Sequence, residues 1–312
     1  MRIVFMGTPE FAVPTLERAV EAGHEVLAVV TQPDRPAGRG RQVSAPPVKH
    51  AALRLGLPVQ QPEKIRTPEA YAFLSGLGAE AMVVVGYGKI IPQAIIDLPS
   101  LGIINVHASL LPKYRGAAPI QWAVANGEVR TGVTTMRIDA GLDTGDMLLK
   151  AETEIGPDET ALDLSERLAQ MGADLLVRTL EMLRAGTLEP QPQDDAQATF
   201  APVLKKEDGL IDWRKPAIEI HNRVRGLLPW PACYTTFRGR LFHIWKARPS
   251  GQAAGEPGSL RNSRDGAVVA CGGGSGLELV EVQLEGKNRM PAASFLNGQH
   301  LEENERLGEV TR

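Results

Sequence analysis

Apolar residues recur along the first half of the chain in short, nearly continuous runs that alternate with amphipathic stretches. The runs are rich in β-branched residues and too short for helices, which is typical of buried strands; they cover residues 3–6, 26–31, 81–85, 103–106 and 133–138. Helical spacing occurs between them, over residues 15–22, 48–55, 68–77, 91–98 and 119–125. This alternation predicts an α/β fold with a Rossmann-like, mostly parallel sheet covered by helices on both faces.

The pattern changes in the second half of the chain. Leucines at helical spacing predict a long helix over residues 159–185, which Gly186 can end. Residues 189–199 contain few apolar side chains, so they predict a linker. Short strand-like runs separated by turn signals follow, over residues 232–237, 241–247, 267–270 and 277–284. These runs predict a small OB-like β-barrel as a C-terminal domain.

Length and charge refine this picture. A chain of 312 residues can hold one large core or two ordinary domains, and we expect a catalytic domain over 1–188, a linker over 189–204 and the barrel over 205–312. The net charge of −3 excludes a chain that is basic throughout. The charge is uneven, however, because residues 205–312 carry 16 Lys or Arg against 13 Asp or Glu. A negatively charged partner can therefore still be held by the C-terminal part.

Cysteine usage and hydropathy exclude several classes of protein. The chain has only Cys233 and Cys271, with no CxxC spacing, so neither a disulfide framework nor a zinc finger is expected. No apolar run approaches the ~20 residues of a membrane span, and the first residues lack a signal-peptide core. We therefore expect a soluble, cytoplasmic protein.

The turn after the first predicted strand argues against a nucleotide cofactor. A dinucleotide-binding turn needs the pattern GxGxxG, but only Gly7 is present here and Pro9 removes an N–H donor. No GxxxxGK[ST] loop occurs elsewhere in the chain. NAD and ATP binding of the usual kinds are thus disfavoured.

Asn105 and His107 lie at the end of the fourth predicted strand. Side chains alternate along a strand, so both point to the same face. Asparagine offers a neutral amide donor and histidine can donate or accept a proton near neutral pH. Together they suit a reaction that builds negative charge on a carbonyl oxygen. The alternative is a structural histidine, which is the commoner role of a single histidine at a strand end.

A loop rich in aspartate and glycine follows the fifth predicted strand, with the sequence DAGLDTGD from residue 139. Because it comes after a strand, we expect it at a carboxyl end, where ligands bind in such sheets. Its glycines allow a tight loop that can bring one carboxylate to a site. A surface turn with Asp139, Asp143 and Asp146 in solvent is the alternative. The spacing matches no calcium loop, and Ser109 lacks the GxSxG pattern of a serine hydrolase.

The segments NVHASLLPKYRGAAPIQWA and MRIDAGLDTGDML resemble the formyltransferases that use 10-formyltetrahydrofolate. The resemblance extends to MRIVFMGTPEFAVPTL, to MVVVGYGKIIP and to DGLIDWRKPAIEIHNRVRGLLPWPACY, so it covers most of the chain. It points to members whose acceptor is the α-amine of methionine on initiator tRNA, in translation initiation. The alternatives are members acting on a sugar-nucleotide amine, a folate-formyl hydrolase, and a tRNA-binding module that has lost activity.

The resemblance also implies roles for particular residues. It makes Asn105, His107 and Asp143 the catalytic residues, with no metal. It implies a folate pocket whose residues come from two strand ends, namely Ser109, Leu110, Leu111 and Pro112 with Val85, Gly86 and Tyr87 as a wall.

The partner that the resemblance implies is methionyl initiator tRNA. Residues 34–49 form a long basic loop in which Arg39 and Arg41 are expected to contact the acceptor end of the tRNA. Lys205 and Lys206, at the start of the predicted barrel, are further candidates. The basic loop reads GRGRQV, whereas family members often carry lysines after the second glycine. Arg41 keeps the positive charge but presents a planar guanidinium group in place of the compact ammonium group of lysine. A monomer is expected.

Overall fold

The computed structural model describes residues 1–37, 42–263, 266–299, 301 and 305–308 of the chain. Within these residues the strands are β1 (Arg2–Gly7), β2 (Glu25–Val30), β3 (Arg35–Ala37), β4 (Gln42–Ser44), β5 (Val59–Gln60), β6 (Ala81–Val85), β7 (Ile103–His107), β8 (Arg115–Gly116), β9 (Arg130–Arg137), β10 (Met147–Glu154), β11 (Phe200–Ala201), β12 (Cys233–Phe237), β13 (Arg240–Gln252), β14 (Leu260–Ser263), β15 (Gly266–Ala270), β16 (Ser275–Leu284) and β17 (Met290–Pro291).

The helices are α1 (Val13–Glu21), α2 (Pro47–Arg54), α3 (Pro68–Leu77), α4 (Gln93–Ile96), α5 (Pro119–Ala125), α6 (Ala161–Ala185), α7 (Ala217–Gly226) and α8 (Ala292–Asn297). Short 3-10 helices cover Glu10–Ala12, Asp195–Gln197 and Lys206–Gly209. The described part of the chain contains no helix long and apolar enough to cross a membrane.

The chain divides into two compact units that interleave along the sequence. The first comprises Met1–Gly116, Arg130–Glu154 and Ser165–Ala201, and the second comprises Ala117–Val129, Ile155–Leu164 and Pro202–Arg312. The domain boundaries expected from the sequence stay a prediction.

The first unit is built on a seven-stranded sheet in the order β10-β9-β7-β6-β1-β2-β5. The strands from β7 to β5 pair in parallel, whereas β9 is antiparallel to both β7 and β10. The expected Rossmann-like, mostly parallel sheet is therefore confirmed. Its strands are buried because both faces are covered: β6, with the sequence AMVVV, is buried at every position.

Helices cover the two faces of this sheet. On one face α3 packs through Leu74 into an apolar cluster with residues of β1 and β6, including Met6 and Met82. On the other face α6 approaches β7 closely, because Gly172 has no side chain beside Val106. Local signals set the limits of α3: the Thr67 hydroxyl accepts a hydrogen bond from the Ala70 amide, and Gly78 ends the helix at φ +59°.

The second unit contains an antiparallel sheet in the order β12-β13-β16-β15-β14, with β17 paired to β16. Residues 306 and 307 form bridges to both edges of this sheet, Leu307 with Phe237 and Arg306 with Ser259. This segment therefore bridges to both edges of the antiparallel sheet, and the OB-like barrel stays a prediction. Its core includes Phe237, Phe242 and Phe295, whose ring centroids lie 4.9–5.8 Å apart.

Candidate active site

Asn105 and His107 point to one face of β7 near its carboxyl end, as the alternation along the strand predicts. Both residues are buried, with relative exposures of 8% and 6%. Among the residues that the structure describes, none forms a hydrogen bond with the Asn105 carboxamide. The carboxamide can therefore bond to a ligand that enters the site.

The His107 ring lies between two oxygen atoms. Its Nε2 is 2.9 Å from the Tyr114 carbonyl oxygen, and its Nδ1 is 3.7 Å from Asp143 Oδ2. A carbonyl oxygen can only accept, so Nε2 carries a proton and donates it to Tyr114. A ring protonated at both nitrogens would therefore face an acceptor on each side.

Asp143 lies in the loop between β9 and β10 and turns its carboxylate inward. Its Oδ2 accepts a hydrogen bond of 2.8 Å from the Gly116 amide, and its backbone is left-handed at φ +53°. Gly145 allows the tight return of this loop, because a Cβ there would lie 1.9 Å from the Arg137 carbonyl oxygen. The alternative of a surface turn with its aspartates in solvent therefore does not hold for Asp143.

The carboxylate of Asp139 serves the loop itself. It accepts hydrogen bonds from the Gly141 amide at 3.0 Å and from the Thr144 hydroxyl at 2.8 Å. These bonds form an Asx-type turn that shapes the loop. Asp139 and Asp143 thus have different environments although they are four residues apart.

Asp143 reaches His107 by a route that differs from the expected one. Strand β9 is antiparallel to β7, with His107 opposite Thr134 and Ile104 opposite Arg137. The end of β9 therefore lies beside the start of β7 and not beside its carboxyl end. The loop must therefore return toward the carboxyl end of β7, where Asp143 lies 3.7 Å from His107. The sequence predicted this loop at the carboxyl edge of the parallel strands, but it leaves the sheet at the opposite edge because β9 is antiparallel to β7.

The segment Ser109–Pro112 is held mainly by bonds within the chain. The Ser109 hydroxyl donates to the Lys113 carbonyl at 2.6 Å, and the Thr134 hydroxyl donates to the Ser109 carbonyl at 2.7 Å. Leu111 is 1% exposed and packs with Met136 and Met147. Leu110 and Pro112 are partly exposed, so these two are the members of the segment open to a ligand. Its role in folate binding stays a prediction.

Val85, Gly86 and Tyr87 lie at the carboxyl end of β6, the strand next to β7. Gly86 is exposed with φ +58°, and a Cβ there would meet the Pro9 ring at 2.9 Å. Tyr87 is buried, its hydroxyl has no partner among the described residues, and burial raises the pKa of the hydroxyl to about 12. The turn is thus next to Asn105 in the sheet, where a wall of the pocket is expected.

Arg39 and Arg41 lie outside the described residues, but the base of their loop does not. Strands β3 and β4 pair as a short hairpin. The Asp34 carboxylate accepts hydrogen bonds from Gln61 at 2.6 Å and from Lys49 at 2.7 Å, and these two bonds lower the pKa of Asp34. Lys49 and Asp34 thereby join the two ends of the basic loop.

Lys205 and Lys206 are exposed in the second unit, where Lys206–Gly209 form a 3-10 helix. The Lys205 amide donates to Asp208 at 2.7 Å. Their expected contact with tRNA stays a prediction. In the described ranges no group of three or more His, Cys, Asp or Glu side chains is arranged to hold a metal ion.

Two residues near the site were missed from the sequence. Arg115 is 4% exposed and donates to Gln193, and Gln193 donates to the loop that carries Asp143. Arg115 lies in the segment that carries the family resemblance, but Gln193 lies in the polar stretch that was expected to be a linker. Nothing in the local pattern of that stretch marks Gln193.

Comparison with known proteins defines the class to which this fold and site belong. The family model described as "Formyl transferase" matches residues 1–180, and the one described as "Formyl transferase, C-terminal domain" matches residues 203–300. The chain belongs to the formyl transferase family.

Individual relatives give a more specific similarity than the family model does. The chain is 67% identical to the methionyl-tRNA formyltransferase of Solibacter usitatus over 310 residues, which is 99% of each chain. It is 58% identical to the methionyl-tRNA formyltransferase of Koribacter versatilis over 312 residues, the full length of both.

Solved structures with lower identity share the fold. The N-formyltransferase from Helicobacter canadensis, in complex with folinic acid and dTDP-3-aminofucose, is 19% identical with a TM-score of 0.66, covering 89% of this chain and 98% of that one. HypX from Aquifex aeolicus, in complex with tetrahydrofolic acid, is 16% identical with a TM-score of 0.62, covering 95% of this chain and 47% of that one.

Proposed function

We propose that this protein transfers the formyl group of 10-formyltetrahydrofolate to the α-amine of methionine on initiator tRNA. The observation that carries the proposal is the 67% identity, over 99% of both chains, to a relative named methionyl-tRNA formyltransferase. The sugar-nucleotide formyltransferase in the comparison is only 19% identical. The arrangement of Asn105, His107 and Asp143 supports the same class of reaction.

The residues at the end of β7 suit a formyl donor. Asn105 is 8% exposed and its carboxamide has no hydrogen-bond partner among the described residues, so it can donate to a carbonyl oxygen that enters the site. We propose that Leu110, Pro112 and the turn from Val85 to Tyr87 contact the folate. When bound, 10-formyltetrahydrofolate supplies an electrophilic formyl carbon, whose oxygen gains negative charge during attack and whose N10 nitrogen leaves.

Asn105 and His107 stabilise the charge on the formyl oxygen in this proposal. Asn105 donates a hydrogen bond from its amide. His107 contributes a second donor, its Nε2–H, whose nitrogen lies 2.9 Å from the Tyr114 carbonyl oxygen in the absence of substrate. Each donor of this kind contributes about 3–4 kcal/mol to stabilising a transition state.

Asp143 has two tasks in this proposal. Its carboxylate faces Nδ1 of His107 at 3.7 Å, so it orients the ring. The attacking amine must also lose one proton while N10 gains one. Asp143, which is partly exposed, accepts the proton from the amine directly or through a water molecule, and this proton is then passed to N10 as the C–N10 bond breaks.

Recognition of the tRNA rests on basic residues in both parts of the chain. We propose that Arg39 and Arg41 contact the acceptor end from a loop whose ends are joined by Lys49 and Asp34. Lys205 and Lys206 begin a C-terminal segment with a net charge of +3 and contribute phosphate contacts. Arg41→Ala should raise the KM for tRNA and flatten its salt dependence while the KM for folate is unchanged.

The test is a formylation assay with purified protein, 10-formyltetrahydrofolate, and initiator and elongator methionyl-tRNA side by side. We expect formylation of the initiator tRNA and strong discrimination against the elongator. His107→Ala should abolish turnover while tRNA binding survives. Formylation of a sugar-nucleotide amine with no reaction on charged tRNA, or release of formate alone, would overturn the proposal. So would tRNA binding without any transfer.

We also propose that the protein acts as a monomer in the cytoplasm. One chain carries all the residues that the mechanism uses, and the proposed tRNA substrate places the reaction where translation takes place. Light scattering of the eluting protein during size-exclusion chromatography should give a mass near 33.6 kDa. A stable dimer would contradict the proposal of a monomer. Recovery of the protein outside the cytoplasmic fraction of cells would contradict the proposed location.

A further inference from the structure

A polar segment, residues 191–199, lies against the catalytic residues of the first unit. The backbone of Gln191 pairs with that of Met147, at the end of the loop that carries Asp143. At the other end, Thr199 accepts the Arg115 amide through its carbonyl and the Tyr114 amide through its hydroxyl, both at 2.9 Å. Strand β11 then continues the pairing beside β8. The segment is held by hydrogen bonds, which explains why its low apolar content did not predict this position.

Gln193 lies in the middle of this segment, and its side chain bonds to both the loop and Arg115. Its Nε2 donates to the carbonyl oxygens of Asp143 and Gly145, both at 2.8 Å. Its Oε1 accepts a bond of 3.0 Å from Nε of Arg115. An arginine can only donate and a carbonyl oxygen can only accept, so the orientation of the Gln193 amide is determined without ambiguity.

Arg115 is itself fixed in place. Its side chain is 4% exposed, and its second donor group reaches Asp195 at 2.8 Å. The residues on either side of it touch the catalytic side chains, since the Tyr114 carbonyl faces His107 and the Gly116 amide donates to Asp143. A displacement of Arg115 would therefore move the partners of both catalytic residues.

The loop needs this support because of its backbone. Asp143 has φ +53°, a left-handed conformation that non-glycine residues adopt at a cost. The carbonyl groups of Asp143 and Gly145 receive their donors from one side chain, that of Gln193. Loss of those donors would release the loop and let the Asp143 carboxylate leave the Gly116 amide.

We propose that Gln193 is a positioning residue, held by Arg115, that keeps the Asp143 carboxylate in place for catalysis. The inference rests on the proposed function in one respect, because kcat and KM are measured with the formylation reaction. The position of the Asp143 loop can be tested without any substrate.

The sharpest variant is Gln193→Glu. Glutamate has the same shape and keeps an acceptor for Arg115, but it replaces both donors with an oxygen that repels the two loop carbonyls. We expect kcat to fall by about 10- to 100-fold, with KM for both substrates within about threefold and Tm close to the wild type. Gln193→Ala should likewise lower kcat while KM stays nearly unchanged, with a smaller or equal loss of kcat.

Gln197→Ala is the matched control, because Gln197 is exposed and its side chain donates to Asp194 in the same polar segment. This variant should keep full activity.

Hydrogen exchange provides the measurement that needs no substrate. In Gln193→Glu, amide exchange should accelerate over residues 139–146 and at Gly116, while α3 keeps its protection. Wild-type kcat and unchanged exchange in Gln193→Glu would overturn the proposal. A parallel loss of Tm, kcat and KM would also overturn it, because it would indicate a general structural role. If the wild type fails to formylate tRNA, the proposed function falls, and the exchange experiment alone decides the role of Gln193.

Discussion

The carboxylate of Asp143 lies 3.7 Å from Nδ1 of His107, in contact with the ring but beyond hydrogen-bonding distance. The shorter bond of this carboxylate, at 2.8 Å, is to the Gly116 amide. Asp143 is therefore oriented by the backbone and acts on His107 mainly through its charge. A small movement of the loop would be enough to bring the two side chains into hydrogen-bonding distance.

This relationship predicts the effect of Asp143→Asn. Asparagine tolerates a left-handed backbone better than most residues and can still accept from Gly116, so the loop should keep its shape. The negative charge beside His107 is lost, and with it the group proposed to accept the proton. We expect kcat to fall by about 100- to 10,000-fold with little change in Tm, measured by formylation under single-turnover conditions.

The control is Asp139→Asn, which removes the same charge from the same loop. The amide oxygen of the new asparagine can still accept from Gly141 and Thr144, so the activity should stay within about threefold of the wild type. Equal losses in both variants would indicate that the net charge of the loop matters and not the position of Asp143.

Much of the first unit could be predicted from the sequence because its signals are local. The apolar runs at β1, β2, β6 and β7 are buried strands, and the alternation of Asn105 and His107 places them on one face. The motif at the end of β7 also identified the family. Strand period and motif both depend on neighbouring residues only.

The remaining features of the site depend on long-range pairing. The direction of β9 is set by its pairing with β7, and no pattern within β9 reports it. Likewise, Gln193 joins Asp143 across 50 positions of the chain through an amide hydrogen. A single polar residue in a polar segment carries no local signal for such a bond, so the contact required the structure.

The close approach of α6 to β7 predicts the effect of Gly172→Ala. The added Cβ would lie 2.8 Å from Val106 Cγ1, so one of the two elements must shift. Overpacking costs about 1–3 kcal/mol, whereas alanine in place of glycine gains about 1 kcal/mol in a helix. We expect a net loss of up to about 2 kcal/mol in the free energy of unfolding, measured with urea. Because Val106 lies between Asn105 and His107, kcat should fall as well.

A second substitution tests whether this one contact is the cause. Val106→Ala removes the methyl group that meets the new Cβ, so the double variant should be less destabilised than the sum of the two single ones. Strict additivity would show that the cost of Gly172→Ala arises elsewhere.

His24 predicts how stability responds to acid. Both of its ring nitrogens are buried without a partner among the described residues, and burial, together with the positive N-terminus, lowers the pKa of His24 below its ordinary value of 6.5. Between the lowered pKa and 6.5 the unfolded chain binds more protons than the folded one, so the free energy of unfolding falls as the pH falls through this range. His24→Gln should lose less stability than the wild type between about pH 7.5 and 5.5, measured by urea titration.

The exposed His50 offers the comparison for this effect. His50→Gln makes the same substitution at an exposed ring and controls for the loss of an imidazole as such. A His24→Gln variant with the wild-type pH dependence would remove His24 as the source of acid sensitivity.

The burial of both cysteines predicts that the folded protein reacts only slowly with thiol reagents. Cys233 and Cys271 are 1% and 2% exposed, and burial raises the pKa of each thiol to about 12. Near pH 8 only about one thiol in 10,000 would then be ionised, and the thiolate is the reactive form. The folded protein should therefore react negligibly with Ellman's reagent, whereas the protein unfolded in guanidinium should release two equivalents of thionitrobenzoate.

Val129→Cys, at a position that is 72% exposed, is the control. Its folded form should release one equivalent of thionitrobenzoate rapidly, which confirms that the reagent works. Rapid reaction of the wild type without denaturant would show that one of the two cysteine sites opens in solution.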